Sequence, residues 1–338
     1  MTALRIGLDI AKNVFQVHGV DDRGEIVIRR KLRRSEVVDF FEDLEPALVG
    51  IEACATSQYW ARALVSIGHR VKLIPAAFVK AFVKSQKNDA NDAEAICEAV
   101  RRPTMRFVPI KTTEQQAILV VHRVRTLLVD QQTMLVNALR AHLAEFGIIA
   151  RKGSAGASEL LAFAAAVSRS ELPAIARSTI RALASEIRAI MLKVKSCESQ
   201  ILAWHKKSVQ SRRLAEIPGV GPLSASAIVA TIGDASGFRS GRQFAAWIGL
   251  VPRQWSSGNR IILGHVSKRG NNYLRRLLYL CARAAMNSKA PKASLVKWAL
   301  RLKERKPFPL VAIALANKIA RVAWALLARD RGFRLQSC

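Results

Sequence analysis

Acidic residues are scarce in this chain: 25 Asp and Glu stand against 54 Lys and Arg in 338 residues, a formal net charge of +29. That shortage excludes an electrically neutral surface and predicts strong attraction to polyanions. Cysteine is also sparse. Cys54, Cys97, Cys197, Cys281 and Cys338 are odd in number and scattered, with no Cys-x-x-Cys pair, which excludes a disulfide framework and fits free thiols in a reducing cytoplasm. The histidines (His18, His69, His122, His142, His205 and His265) lack zinc-ligand spacing, which argues against a zinc enzyme. No apolar run approaches the ~20 residues of a membrane span. The best, from Phe308 to Ala316, is soon broken by Lys318 and Arg321, and Asp9 and Lys12 interrupt the first apolar run, so neither a membrane partner nor a signal peptide is expected. Internal repeats and low-complexity tracts are not evident.

Half of the residues are hydrophobic, enough for one large core or two or three smaller ones, so several domains are expected. The charge is uneven. Residues 201–338 hold 25 Lys and Arg against 4 Asp and Glu, which marks the C-terminal part as the main nucleic-acid-binding half. An anionic membrane surface is the lesser alternative.

Three β-like runs open the chain, Leu4–Ile10, Val14–Val20 and Glu25–Arg30, and read as an antiparallel meander. A helix from Ser35, a buried strand Leu48–Cys54, a helix after Ser57 and a strand Val71–Ile74 follow, an order that predicts a mixed α/β sheet over residues 1–110. Residues 111–210 read as a helical, coiled-coil-like arm for dimerisation. Its two long segments, Thr113–Gly147 and Ser178–Lys207, flank the Gly, Ser and Ala-rich stretch Arg151–Ala157, expected to be the loop at its tip. Residues 211–338 read as a basic, mostly α domain broken by two glycine-bearing loops, Pro218–Pro222 and Ser256–Asn259.

Asp9 ends the first apolar strand and Glu52 lies within another. Acids so placed are costly unless a cation meets them, the plain alternative being exposed strand ends. In Lys87-Asn88-Asp89-Ala90-Asn91-Asp92-Ala93-Glu94, Asp89 and Asp92 are three apart and share a helix face; helix capping explains them equally well. Together the four supply the hard oxygen ligands that Mg²⁺ or Mn²⁺ takes. Two such ions ~3.5–4 Å apart activate an oxygen nucleophile and stabilise the leaving oxygen of a phosphodiester. Two strand acids followed by a helical Asp pair resemble the RNase H-like fold of RuvC-type nucleases.

Ile217-Pro218-Gly219-Val220-Gly221-Pro222 resembles a helix-hairpin-helix element, in which Gly219 and Gly221 would turn backbone N–H groups toward a phosphate; a plain turn between helices is the alternative. Phe244–Gly258 and the run Ser267-Lys268-Arg269-Gly270-Asn271-Asn272-Tyr273-Leu274-Arg275-Arg276-Leu277-Leu278 follow. With the acids, these strings resemble the DEDD (RuvC-like) insertion-sequence transposases of the IS110 type, whose target choice is guided by a noncoding bridge RNA. The likeness covers nearly the whole chain, and the helical arm resembles the IS1111 subgroup.

The resemblance implies that Asp9, Glu52, Asp89 and Asp92 are the catalytic, metal-holding acids and that Ser257, or Ser256 beside it, forms a covalent phosphoserine link to DNA. It also implies guide RNA, donor and target double-stranded DNA, and a dimer or dimer of dimers pairing acids and serine from different subunits. In that setting Arg253, Arg260, Lys268 and Arg269 would neutralise a transferring phosphate, and Arg275 and Arg276 would track backbones while base pairing reads sequence. The residues alone leave two other readings open: a metal-dependent junction nuclease with no covalent step, and a non-enzymatic nucleic-acid-binding protein.

Overall fold

Apolar alternation in the first 33 positions folds into β1 (Arg5–Ile10), β2 (Val14–Val20) and β3 (Ile26–Arg33), the expected antiparallel meander. The computed structural model describes residues 4–84, 88–168, 171–233, 235–288 and 293–329; Lys87 and Cys338 lie outside them. The chain divides into two compact units, residues 1–112 and 113–338.

In the first unit the meander leads through α1 (Val37–Glu42) to β4 (Leu48–Glu52), α2 (Ser57–Ser66), β5 (Arg70–Ile74), α3 (Ala76–Val79) and α4 (Asp89–Val100). The sheet order is β3-β2-β1-β4-β5, with β4 parallel to both β1 and β5. Successive strand residues point to opposite faces. One face sends Ile6, Leu8, Phe15, Val49 and Ile51 into a core with Val37 and Phe41 of α1 and Trp60, Ala61 and Leu64 of α2. The other face carries Gly7 and Gly50, and α4 lies on it. A Cβ at Gly7 would stand 2.1 Å from Ala93 O, and one at Gly50 2.8 Å from Val100 Cβ. Only glycine admits a helix backbone this close to a strand.

The second unit opens with α5 (Thr113–Ala144), then α6 (Ser154–Ala166) and α7 (Ala174–Lys207). At ~1.5 Å per residue, α5 and α7 are each ~50 Å long. They pack along Ile180, Ala184 and Ile187 of α7 and Leu139 and Leu143 of α5, with Leu160, Leu161 and Ala164 of α6 completing the cluster. The expected tip loop Arg151–Ala157 is corrected here: Gly153, at φ +90°, turns the chain, and a helix begins at Ser154. Its Ala, Leu and Glu residues are strong helix formers, so the small-residue composition marked a helix and not a loop.

Beyond α7 come α8 (Val209–Leu214), α9 (Pro222–Ile232), α10 (Gly241–Ile248), a β-hairpin of β6 (Pro252–Ser257) and β7 (Arg260–Val266), then α11 (Asn272–Met286), α12 (Ser294–Lys303) and α13 (Phe308–Arg329). The polar loop expected at Ser256–Asn259 is in fact a strand end and a two-residue turn, since Ser257 pairs with Arg260 across Gly258 and Asn259. Gly258 takes φ +54° at the first turn position, where a type II′ turn requires glycine. Helix α13 is long and apolar enough to cross a membrane by length and composition alone, with Lys318 and Arg321 interrupting it. Its Val311, Ala312, Leu315, Ala316, Ile319, Ala320 and Ala323 are wholly buried in the unit's core, and that burial accounts for its apolar character.

Candidate active site

The parallel register of β1 and β4 pairs Leu8 with Ile51, so Asp9 and Glu52 follow one residue on, at the same end of neighbouring strands. Period-two alternation puts Asp9 on the face of Gly7, and Glu52 on the face of Gly50. That is the face α4 covers. Gly7 meets α4 at Ala93 and Cys97, and Gly50 meets it at Ile96 and Val100, so the helix N-terminus with Asp89 and Asp92 comes to the strand ends that carry the other two acids.

Asn88 caps α4, its side chain accepting the Asn91 N–H at 2.8 Å, which frees both aspartates from the capping role that would have explained them. Burial, then the negative charges of Asp92, Asp89 and Glu52, push the Asp9 carboxyl up to about 6. The other three predicted acids therefore all act electrostatically on Asp9. Among the described residues no three His, Cys, Asp or Glu side chains are drawn into a closed metal-holding group. The donor set still fits a hard divalent cation, because it consists of carboxylate oxygens whose mutual repulsion such a charge relieves.

Sequence reasoning missed two features here. Gly7 and Gly50 each stand two residues before an acid, and their lack of a side chain sets the distance of α4 from the sheet. Thr56, four residues past Glu52, takes φ +70°, a strained conformation for a β-branched residue, in the loop joining β4 to α2. Cys54 in that loop has its thiol pKa raised by burial and by Glu52 and Asp9, which keeps it protonated and a poor nucleophile.

The buried histidines hold structure together. Ala47 N–H donates to His69 Nδ1 at 3.1 Å while Nε2 meets Phe41 O at 2.8 Å, and His205 Nδ1 meets Ser211 Oγ at 2.8 Å. His122 Nδ1 lies 2.9 Å from the Tyr273 hydroxyl and Nε2 lies 3.1 Å from Ser226 Oγ. Ser226 spends its proton on Pro222 O, so the ring donates from Nε2 and accepts at Nδ1.

In the second unit the hairpin separates the two candidate serines. Alternation places Ser257 on one face with Trp255, Arg260 and Ile262; Ser256 points to the other with Gln254, Ile261 and Leu263, and Arg253 lies in the register shift before them. Ser256 Oγ accepts a hydrogen bond from Gln254 Nε2 at 2.9 Å. Arg253, Arg260, Lys268, Arg269 and Arg276 are exposed. Arg275 is committed locally, its guanidinium donating to Ile248 O, Arg269 O and Asn272 Oδ1 at 2.8 to 2.9 Å, which ties down the loop bearing Lys268 and Arg269. Gly219, at φ +83°, is required by packing, since a Cβ would lie 2.2 Å from Cys281 O of α11, whereas Gly221 faces open space.

A mixed sheet whose strand-end Asp9 feels three further acids, in a chain whose other unit is basic and largely helical, fits a metal-dependent enzyme acting on nucleic-acid strands. Two family descriptions match, the DEDD "Transposase" of the IS110 type over residues 6–148 and "Transposase IS116/IS110/IS902 family" over residues 211–296. The chain belongs to the IS110 family of insertion-sequence transposases. It is 49% identical over 336 residues to a "Probable family 20 transposase" of Pseudomonas aeruginosa, covering 99% of each chain. It is 39% identical over 332 residues to the "Transposase for insertion sequence element IS1111A" of Coxiella burnetii (97% of this chain, 91% of that one). A third relative is the "Transposase for insertion sequence element IS1328" of Yersinia enterocolitica, 37% identical over 329 residues (97% and 98%). The protein is thus an enzyme of DNA recombination that binds DNA, and its DEDD domain implies dependence on a divalent metal.

Proposed function

We propose that this transposase cleaves and exchanges DNA strands with Asp9, Glu52, Asp89 and Asp92 as an RNase H-like metal-holding set and Ser257 as nucleophile. The observation that carries the reading is the placing of Asp9 and Glu52 at the same end of neighbouring parallel strands, on the face where α4 brings up Asp89 and Asp92, with burial first and then those acids raising the Asp9 carboxyl to about 6. Mg²⁺ or Mn²⁺ bound there would neutralise phosphate charge and activate an oxygen for in-line displacement. The serine oxygen forms a new bond to phosphorus as the bond from phosphorus to the leaving sugar oxygen breaks; the hydroxyl proton passes to a base, and the leaving oxygen is protonated. Ser257 is favoured over Ser256 because it pairs directly with Arg260 across the hairpin, and Arg260, with Arg253, would hold the phosphate oxygens. Lys268, Arg269 and Arg276 would follow nucleic-acid backbones, as would the turn at Gly219 and Gly221 if it acts as a helix-hairpin-helix, with Arg275 positioning the loop.

Residues 111–210 serve as the dimerisation arm in this reading, and residues 1–110 and 211–338 as the catalytic and transposase domains. Val120, Val124, Leu127 and Met134 of α5 are exposed at helical spacing and supply an apolar stripe for a second copy. A noncoding guide RNA, a dimer of dimers on donor and target DNA, membership of the IS1111 subgroup and action in the bacterial cytoplasm complete the proposal.

Asp9→Ala and Ser257→Ala are expected to abolish strand exchange while leaving DNA binding largely intact. A protein–DNA adduct should be trapped with wild type and with Ser256→Ala, but not with Ser257→Ala. Strand cleavage with no adduct in any of these proteins would replace the covalent route by hydrolysis, and full exchange by both alanine variants would refute the assigned roles. Sequencing of co-purifying RNA tests the guide, for which one discrete species that pairs with DNA is expected.

A further inference from the structure

Strand β3 forms an edge of the sheet, and Arg29, Arg30, Lys31 and Arg33 along it and Arg34 just past its end are all exposed. Cations on an edge strand block edge-to-edge pairing, which would explain the charge alone. It leaves unexplained what lies at the end of the run. There an open groove of about 800 Å³ is lined by Asn13, Arg33, Arg34, Ser35, Tyr59 and Trp60, among others. The Arg34 guanidinium lies 5.2 Å from the Trp60 ring centre and 5.8 Å from that of Phe15. Tyr59 meets Trp60 edge-on at 5.2 Å and keeps 55% of its surface exposed. Trp60 is only 3% exposed, yet its buried indole N–H has no acceptor. A buried donor left unmet is uncommon and costs ~1–3 kcal/mol.

We propose that this groove binds one unpaired nucleotide of a single strand, its base against Tyr59 and its phosphate against Arg33 and Arg34. An exposed aromatic face beside a cationic track is how proteins hold single strands, because stacking needs a base whose face is free. Of this run only Arg33 and Arg34 line the groove; Arg29 and Lys31 point to the face that α4 covers, and Arg30 shares the face of Phe15. The groove lies at the sheet end where Asp9 and Glu52 sit, since Asn13 follows the turn after β1 and Tyr59 follows the loop after β4. It opens on the opposite face, where Phe15 and Trp60 pack. A strand whose phosphate reaches the acids could therefore place a neighbouring nucleotide around the edge of the sheet. The inference rests on the strand-transfer reading only for its nucleic-acid partner.

The full-length protein is titrated, in magnesium-free buffer, into fluorescein-labelled oligo(dT), oligo(U) and a duplex DNA of equal length, with binding read by anisotropy. Tyr59→Ala should weaken at least one single strand by about tenfold, with duplex affinity changed less than about twofold, and Tyr59→Phe should restore binding. Which single strand loses affinity tells whether the nucleotide is DNA or RNA. Unchanged single-strand affinity, or an equal loss on the duplex, overturns the proposal. A wild type that binds no duplex would count against the strand-transfer reading itself. Photocrosslinking wild type to iodouracil-bearing strands gives a check independent of any variant. An adduct on the peptide containing Tyr59 and Trp60 supports the site, and adducts confined to other peptides reject it.

Discussion

Adding a single methyl group at Gly7 should disable the enzyme without touching any acid. The Cβ of Gly7→Ala would fall 2.1 Å from Ala93 O, 2.4 Å from Cys97 N and 2.9 Å from Cys97 Cα. Carbon and carbonyl oxygen rest at about 3.3–3.6 Å, so α4 has to retreat by roughly 1.2–1.5 Å. Every atom met is backbone, and no side-chain rotation absorbs the clash. Because α4 carries Asp89 and Asp92, the retreat separates them from Asp9 and Glu52, and a misplacement of ~1 Å costs about a hundredfold in rate. Overpacking of this kind costs ~1–3 kcal/mol, which a folded variant can survive. The assay is recombination between plasmids carrying the element's ends, quantified by junction amplification, with thermal melting and duplex binding measured alongside. Gly237→Ala, whose Cβ would meet nothing within 4 Å, is the unaffected comparator. A Gly7→Ala protein that recombines at the wild-type rate with an unshifted melting temperature would show that α4 does not hold Asp89 and Asp92 against β1.

The folded pKa of Asp9, about 6, lies above its ordinary 3.8, so protonated Asp9 contributes stability that is complete below 3.8 and lost as pH rises through about 6. In cation-free buffer Asp9→Asn should therefore gain on wild type in melting temperature across that window, and magnesium at neutral pH should raise the wild type more than the variant. His122 has the opposite sign: burial holds it down at about 4, so its neutral ring contributes fully above 6.5, and that contribution fades as pH falls toward 4. His122→Phe should cost ~1–3 kcal/mol at neutral pH, and the gap from wild type should narrow in acid, as read by urea unfolding. Gly219→Ala meets both a left-handed backbone and Cys281 O, and should lower stability by about 2–4 kcal/mol, whereas Gly221→Ala should change it by less than ~1 kcal/mol.

The meander, the alternation of strands and helices after it and the two long helices were legible because their apolar periods are regular over many residues. Asp9, Glu52, Asp89 and Asp92 were legible as candidates because acids inside apolar strands are expensive. That the other three act on Asp9 was not, since it depends on the β1–β4 register and on how closely α4 approaches. Two elements were misread for one reason, that small and polar residues were taken as loop. Ser154–Ala166 is helical because alanine dominates it, and the hairpin was signalled by Gly258-Asn259 between Trp255 and the β-branched Ile261 and Ile262. The hairpin matters for function, because only a strand sends Ser256 and Ser257 to opposite sides.

The glycines hold the clearest signal that went unread. Ile6-Gly7-Leu8-Asp9 and Val49-Gly50-Ile51-Glu52 share one pattern, an apolar residue, glycine, an apolar residue and an acid. On a strand, residues two apart share a face, so each acid looks out on the side where its glycine lacks a side chain. A strand surface without a Cβ is where a helix backbone can lie closest, and a helix starting beside it delivers its own first turn to the acids at the strand ends. Asp89 and Asp92 occupy that turn, and the macrodipole there favours negative charge, which offsets part of the repulsion among the four. The sheet, the glycines and the helix start thus determine one another. Moving any of the three removes the reason for carboxylates to be gathered at this edge.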